Sequence, residues 1–124
     1  MEKAAVPNKG ERKLCVFCRI ANGETQTQLL HEDDEVVAFR DIHPQAPVHI
    51  LIVPKAHIVT LAELGDHTAI IGRMAGVANT LAEREGLSRT GYRLAINCGP
   101  EGGQTVWHLH MHLLGGRQLS GRLG

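Results

Sequence analysis

Histidine and apolar residues alternate strictly along His108-Leu109-His110-Met111-His112-Leu113, and no other stretch limits this chain as tightly. A period of two belongs to a pleated strand. It predicts a half-buried strand over residues 106–114, with His108, His110 and His112 on one face, each roughly 6.5–7 Å from the next. Trp107, Leu109, Met111 and Leu113 then point the other way, into a core. Each imidazole brings two ring nitrogens that need partners, and burying them unpaired costs free energy. A row of three is therefore read as a site and not as packing.

The remaining segments read as a scaffold for that strand. Residues 15–23 suit a short helix over 16–21, stopped by Gly23. Residues 29–31 and 35–40 read as two strands around an acidic turn at Asp33 and Asp34. A loop over 41–47, stiffened by Pro44 and Pro47, leads into an almost continuous apolar run over 48–53. Closed by Pro54, that run should be a central strand, with His49 as its one polar member. A short helical turn is expected over 59–65. From Asp66, taken as an N-cap, the period becomes 3.6: Ile70, Met74, Val77 and Leu81 form a stripe widened by Ile71 and Ala78, ending near Gly86. Residues 92–97 form another strand, and 98–104 a glycine-rich turn. The order β-β-β-α-β-β after a small helix predicts an α+β fold, with a mainly antiparallel five-stranded sheet covered on one face by the long helix. Residues 1–13 are polar and non-periodic, an expected frayed tail, and 14–124 are expected to form one domain.

Composition excludes several classes. Thirteen basic and thirteen acidic side chains cancel, so no polyelectrolyte field argues for nucleic acid or an anionic membrane. No apolar run approaches the ~18 residues of a transmembrane helix, and the N-terminal stretch lacks the apolar core of a signal peptide. Three cysteines, an odd number, fit a reducing compartment, and a cytoplasmic location is expected.

The triad and five further blocks carry a family resemblance. His108-x-His110-x-His112-Leu113-Leu114 matches the histidine-triad (HIT) pattern. Residues 39–49 (Phe-Arg-Asp-Ile-His-Pro-Gln-Ala-Pro-Val-His), 53–58, 91–93 together with 102–106, and 115–118 resemble the purine nucleoside phosphoramidase branch, at similar spacing from about Cys15 to Leu119. The resemblance implies a homodimer whose two sheets join. It also implies hydrolysis of the phosphorus–nitrogen, or acyl-phosphate, bond of AMP conjugates such as adenosine phosphoramidates and aminoacyl-adenylates.

By the same resemblance, His110 is the nucleophile that forms a nucleotidyl-imidazole intermediate, and His112 with His49 relays protons and touches phosphate. Read alone, His49 would be a satisfied core histidine. Gly102-Gly103-Gln104-Thr105 would alone be an ordinary hairpin turn; placed before the histidine row it becomes an oxyanion cradle built on backbone N–H groups. Thr105 stands where the family usually carries serine, keeping the hydroxyl and adding a methyl. Asp41 matches the family residue that bonds the ribose hydroxyls, against a plain turn-forming aspartate. Phe17, Phe39 and Ile42 are candidates for the base slot, and Asn97 faces the phosphate.

Cys15-x-x-Cys18 offers two thiolates, and a structural zinc site needs two more ligands. The resemblance supplies them as His57 and His108, making His108 scaffold while His110 and His112 carry the chemistry; otherwise the cysteines are two small buried hydrophobes. Cys98 is read as inert. Gly72-x-x-x-Gly76 on the long helix suits either a dimer partner's close approach or close packing on the chain's own sheet.

Two rivals compete with a hydrolase. One is a metalloenzyme in which two triad histidines join His49 around a catalytic ion, since all three triad residues span too far for one. The other is a purine-nucleotide-binding interaction module with little turnover. The family's adenosine phosphoramidases often end in a Trp-Pro-Pro tail; here residues 119–124 read Leu-Ser-Gly-Arg-Leu-Gly, so that tail specificity does not transfer.

Overall fold

The computed structural model describes residues 14–123; the tail expected over 1–13 lies outside them. The elements are α1 (Val16–Ala21), β1 (His31–Glu32), β2 (Val36–Arg40), β3 (Val48–Pro54), a 3₁₀ turn (Leu61–Glu63), α2 (Ala69–Arg84), β4 (Tyr92–Ala95) and β5 (Met111–Gly115). The strands form one antiparallel sheet in the order β1-β2-β3-β5-β4. The apolar run of β3 therefore sits at the centre, as its closure by Pro54 predicts.

Alternation splits the sheet into two unlike faces. Val36, Ala38, Ile50, Ile52, Met111 and Leu113 meet the buried stripe of α2, Met74, Val77, Ala78, Leu81 and Ala82, in the larger core. The opposite face carries Val37, Phe39, Leu51 and Val53, closed by Cys15, Phe17, Cys18, Ile20 and Ala21 around α1. Six residues are too few for an independent helix, so α1 exists because Phe17, Cys18, Ile20 and Ala21 are buried there. It covers the β2 and β3 half of its face. On the other half, the pairs His112–Ala95 and Leu114–Arg93 stand across β5 and β4.

Four expectations are corrected. The histidine strand is shorter than its sequence period: ladder pairing begins at Met111, so His108 and His110 precede β5 although the alternation of faces continues through them. The Leu109 N–H instead donates to the Ile58 carbonyl, at 2.6 Å. Nor is the stretch half-buried, because His108 and His110 are as enclosed as Leu109 between them. Helix α2 starts at Ala69 with Thr68 at its N-cap and no side-chain capping bond, so Asp66 lies a turn outside it. Finally, Gly72 and Gly76 are exposed, and a Cβ added at either meets nothing within 4 Å. Close packing on the chain's own sheet is not why they are glycine.

Among the described residues no helix is long and apolar enough to cross a membrane.

Candidate active site and metal centre

Four hydrogen bonds fix which ring nitrogen carries the proton in each central histidine. His110 Nδ1 lies 2.7 Å from the His108 carbonyl, which only an N–H can satisfy, so a neutral His110 keeps a bare lone pair on Nε2. His108 Nε2 lies 2.7 Å from the Pro54 carbonyl, leaving its Nδ1 bare. The Gln45 N–H donates to His49 Nδ1 at 3.0 Å, so a neutral His49 carries its proton on Nε2. That nitrogen is 2.9 Å from His112 Nδ1 and 3.4 Å from Asp41 Oδ2. His112 is thus an acceptor at Nδ1 and a donor at Nε2.

The rings run in a line. Phe17 meets His110 edge-on with centroids 5.1 Å apart, His110 and His112 are 5.0 Å apart, and His112 and His49 are 5.1 Å apart. Burial favours the neutral form of all three imidazoles. It pushes His112 down to about 4, helped by its His110 and His49 neighbours and opposed by Asp41. Burial also lowers His110, against the His108 carbonyl and Asp41, and lowers His49, against Asp41. A bare Nε2 on a neutral imidazole beside an N–H on its neighbour suits attack and proton delivery.

Asp41, His49 and His112 hold ligand atoms within 4.8 Å of one another, the arrangement a catalytic metal would need. The tautomer argues against it. With Nδ1 accepting from Gln45, His49 Nε2 carries the proton that a metal ligand must lack, so the trio is built to pass a proton.

The second cluster is different in kind. Cys15 Sγ and Cys18 Sγ stand 3.3 and 3.5 Å from His108 Nδ1, and Cys18 Sγ stands 3.1 Å from His57 Nδ1. All four donors lie within 4.8 Å of one another. Tetrahedral zinc, with sulfur at ~2.3 Å and nitrogen at ~2.1 Å, needs N···S edges of about 3.6 Å. His108 presents its unprotonated nitrogen to the thiols while Pro54 fixes the other, as a metal-bound histidine requires. The donor set fits zinc.

The glycine turn departs from expectation. Gly103 and Gln104 turn their N–H groups inward, to the carbonyls of Pro100 and Gly99, so neither amide belongs to an anion cradle. Gln104 is buried and works as a clamp: its Nε2 donates to Val59 and Val106 carbonyls, and its Oε1 accepts from Thr60 and the Gly99 N–H. Asn97 Nδ2 donates to the Gly102 carbonyl at 2.7 Å. A Cβ on Gly102 would lie 2.2 Å from the Cys98 carbonyl oxygen, so the turn closes only with glycine there. Thr105 is exposed beside it.

The other expected residues divide. Phe17 packs edge-on to Phe39, with centroids 5.5 Å apart, and both are buried, while Ile42 is 86% exposed at the loop's outer edge. Asp41 Oδ1 accepts from the His43 N–H, which is the turn-forming reading, while Oδ2 turns to His49. The Gln45 amide had no signal in the sequence, because a backbone donor has none. A cavity of about 740 Å³ lies at the Tyr92–Arg117 end and has no histidine in its lining. The one that opens on His49 and His112 is about 420 Å³, and its chemistry makes it the relevant one.

Comparison with known proteins finds relatives over most of the chain. Residues 22–119 match the HIT domain model. The chain is 49% identical to the purine nucleoside phosphoramidase of Escherichia coli K12 over 105 residues, covering 84% of this chain and 88% of that protein. It is 44% identical to a 14 kDa zinc-binding protein of Zea mays, covering 96% and 94% respectively. Its fold superposes on a HIT family hydrolase from Legionella pneumophila with a TM-score of 0.85 and 48% identity, covering 89% of this chain and 99% of that one.

Proposed function

This chain belongs to the HIT domain family, and from that premise we propose that it hydrolyses the phosphorus–nitrogen or acyl-phosphate bond of purine nucleoside monophosphate conjugates through a nucleotidyl-His110 intermediate. One observation carries the reading: His110 Nδ1 is held 2.7 Å from the His108 carbonyl, so its Nε2 is free to attack.

The nucleoside lies on the Phe17 and Phe39 side, with the Asp41 carboxylate taking ribose hydroxyls on acceptor sites left over from His43 and His49. His110 Nε2 forms a bond to the α-phosphorus, and the phosphorus–nitrogen bond breaks with its electron pair on nitrogen. The His112 Nε2–H gives that nitrogen its proton, and the amine departs. The deficit left on the His112–His49 pair is shared along their Nε2–H to Nδ1 hydrogen bond and balances the positive charge on the nucleotidyl-His110 imidazolium, which Asp41 also favours. Water then attacks the same phosphorus, its proton returns to the His112–His49 pair, and AMP and neutral His110 are released. Thr105 and Asn97 flank the phosphate, the threonine through its hydroxyl.

Cys15, Cys18, His57 and His108 would hold zinc, which at this position supplies a structural staple between α1 and the histidine segment. A homodimer is supported by the sheet's edges: β1 has only two residues, but β4 offers an open edge with Tyr92 and Leu94 exposed, which pairing with a twin removes. Described cysteines that form no disulfide suit a reducing, cytoplasmic setting.

Rapid-quench mass spectrometry with an AMP phosphoramidate tests the assignment. A nucleotide adduct is expected on the peptide containing His110. His110→Ala should lose at least about three decades of turnover, or ~4 kcal/mol of barrier, while still binding AMP. An adduct on His112 alone, or a fully active His110→Ala, refutes it. Stoichiometric release without turnover would indicate the binding-module reading.

A further inference from the structure

The line Phe17–His110–His112 does not stop at His112. Beyond it, away from the buried Phe17, the 420 Å³ cavity continues over Ala95 and Leu114. Sheet register places these residues. Ala95 stands opposite His112, and Arg93 opposite Leu114, across β4 and β5. Side chains two apart on a strand share a face, so Arg93, Ala95, His112 and Leu114 form one half-buried surface that α1 leaves uncovered. The floor is apolar and the charged members of the wall are of one sign. Arg93 and Arg122 line the cavity together with His49 and His112, and among the described residues no Asp or Glu side chain does. Arg93 Nη2 also donates to the Ser120 carbonyl at 2.5 Å, which holds the C-terminal segment against β4 and brings Arg122 to the rim.

We propose that this cavity receives the leaving group and that Arg93 and Arg122 make it selective for leaving groups bearing a negative charge, such as an amine that also carries carboxylates. The proposal rests on the hydrolase reading above and adds the chemical class of what is expelled. With the nucleoside on the Phe17 side and phosphorus at the His110 Nε2 and His112 Nε2–H pair, the bond to be broken points toward the cavity. The expelled nitrogen takes its proton from His112 as before. The arginines touch only the distal anionic group, through N–H donors that match a carboxylate, and they repel a distal ammonium at the same place. Arg93 on a strand is fixed. Arg122 reaches the site from the C-terminal segment that Arg93 holds at Ser120.

Three AMP phosphoramidates that share the nucleotide and differ in the amine test this: the glutamate, the tryptamine and the lysine methyl ester conjugates. For the protein as it stands, kcat/KM for the glutamate conjugate should exceed that for the lysine ester by roughly tenfold or more, as charge-assisted pairs at a half-buried site allow. Raising the salt from 0.05 to 0.5 M should compress the ratio. Arg122→Glu should reverse the order, and Arg122→Lys should keep its sign. Similar kcat/KM for all three conjugates, or a ratio untouched by Arg122→Glu, overturns the proposal while leaving the hydrolase reading intact. No turnover of any conjugate rejects the hydrolase reading and this proposal with it.

Discussion

Acid should be tolerated far better than histidine chemistry usually allows. Burial lowers His49 and His110 and takes His112 down to about 4, against an ordinary value near 6.5. The groups must be neutral for His110 to attack and for His112 to accept from His49. At pH 5 a group of pKa about 4 is about 90% neutral, whereas one at about 6.5 is only about 3% neutral. The structure therefore predicts an acid limb of kcat/KM displaced below that of unperturbed imidazoles, which between pH 7.5 and pH 5 would cost roughly thirtyfold. The assay is kcat/KM for a fluorogenic AMP phosphoramidate from pH 4 to 8 at constant ionic strength, since this parameter reports the free enzyme. Asp41→Asn supplies the sign test. Asp41 is the negative charge that raises His49, His110 and His112, so its removal should shift the acid limb further down even as ribose binding weakens. An acid limb centred near 6.5, or an upward shift in Asp41→Asn, would refute the claim that burial sets these rings.

Elemental analysis should find about one zinc per chain, and stripping it should lower the melting temperature more than kcat; a metal-free protein of unchanged stability would reject the zinc centre. Light scattering should report about twice the 13.5 kDa chain mass, and Gly76→Leu should weaken that dimer if the exposed face of α2 is buried in it, while a monomer at micromolar concentration sinks the dimer. Gly102→Ala should destabilise the turn by about 1–3 kcal/mol in denaturant melts, because its Cβ meets the Cys98 carbonyl; a neutral substitution would mean that the turn shifts freely. His112→Ala should lose less turnover than His110→Ala, because it assists the bond change without forming the bond; equal losses would place both on phosphorus.

Legibility followed periodicity. Strand β3 and the buried stripe of α2 were readable because a central strand and a one-sided helix each leave a repeating apolar signature. The alternation that marks His108, His110 and His112 fixed their common face but not the ladder, since Leu109 finds its backbone partner at Ile58 in a loop and no side-chain pattern reports that. The same limit explains the glycine turn. The sequence showed glycines beside histidines, whereas the direction of the Gly103 and Gln104 amides depends on how residues 98–104 close. His49 was legible as an oddity in an apolar strand. Its tautomer was not, because the Gln45 N–H that sets it belongs to every residue type but one. Asp66 looked like a cap by type, and only the placement of Thr68 shows where α2 begins.

Phe17 lies between Cys15 and Cys18 in chain order and leans on His110. That placement ties two evolutionary fates together. A descendant that lost its cysteines would loosen the seat of the aromatic ring that walls the proposed nucleotide slot, and selection on turnover would act on it at once. Cysteine loss in this lineage should therefore travel with bulkier apolar substitutions in the seam beneath α1, at Ile20, Ala21 or Val53, which restore by volume what the sulfurs had held by position.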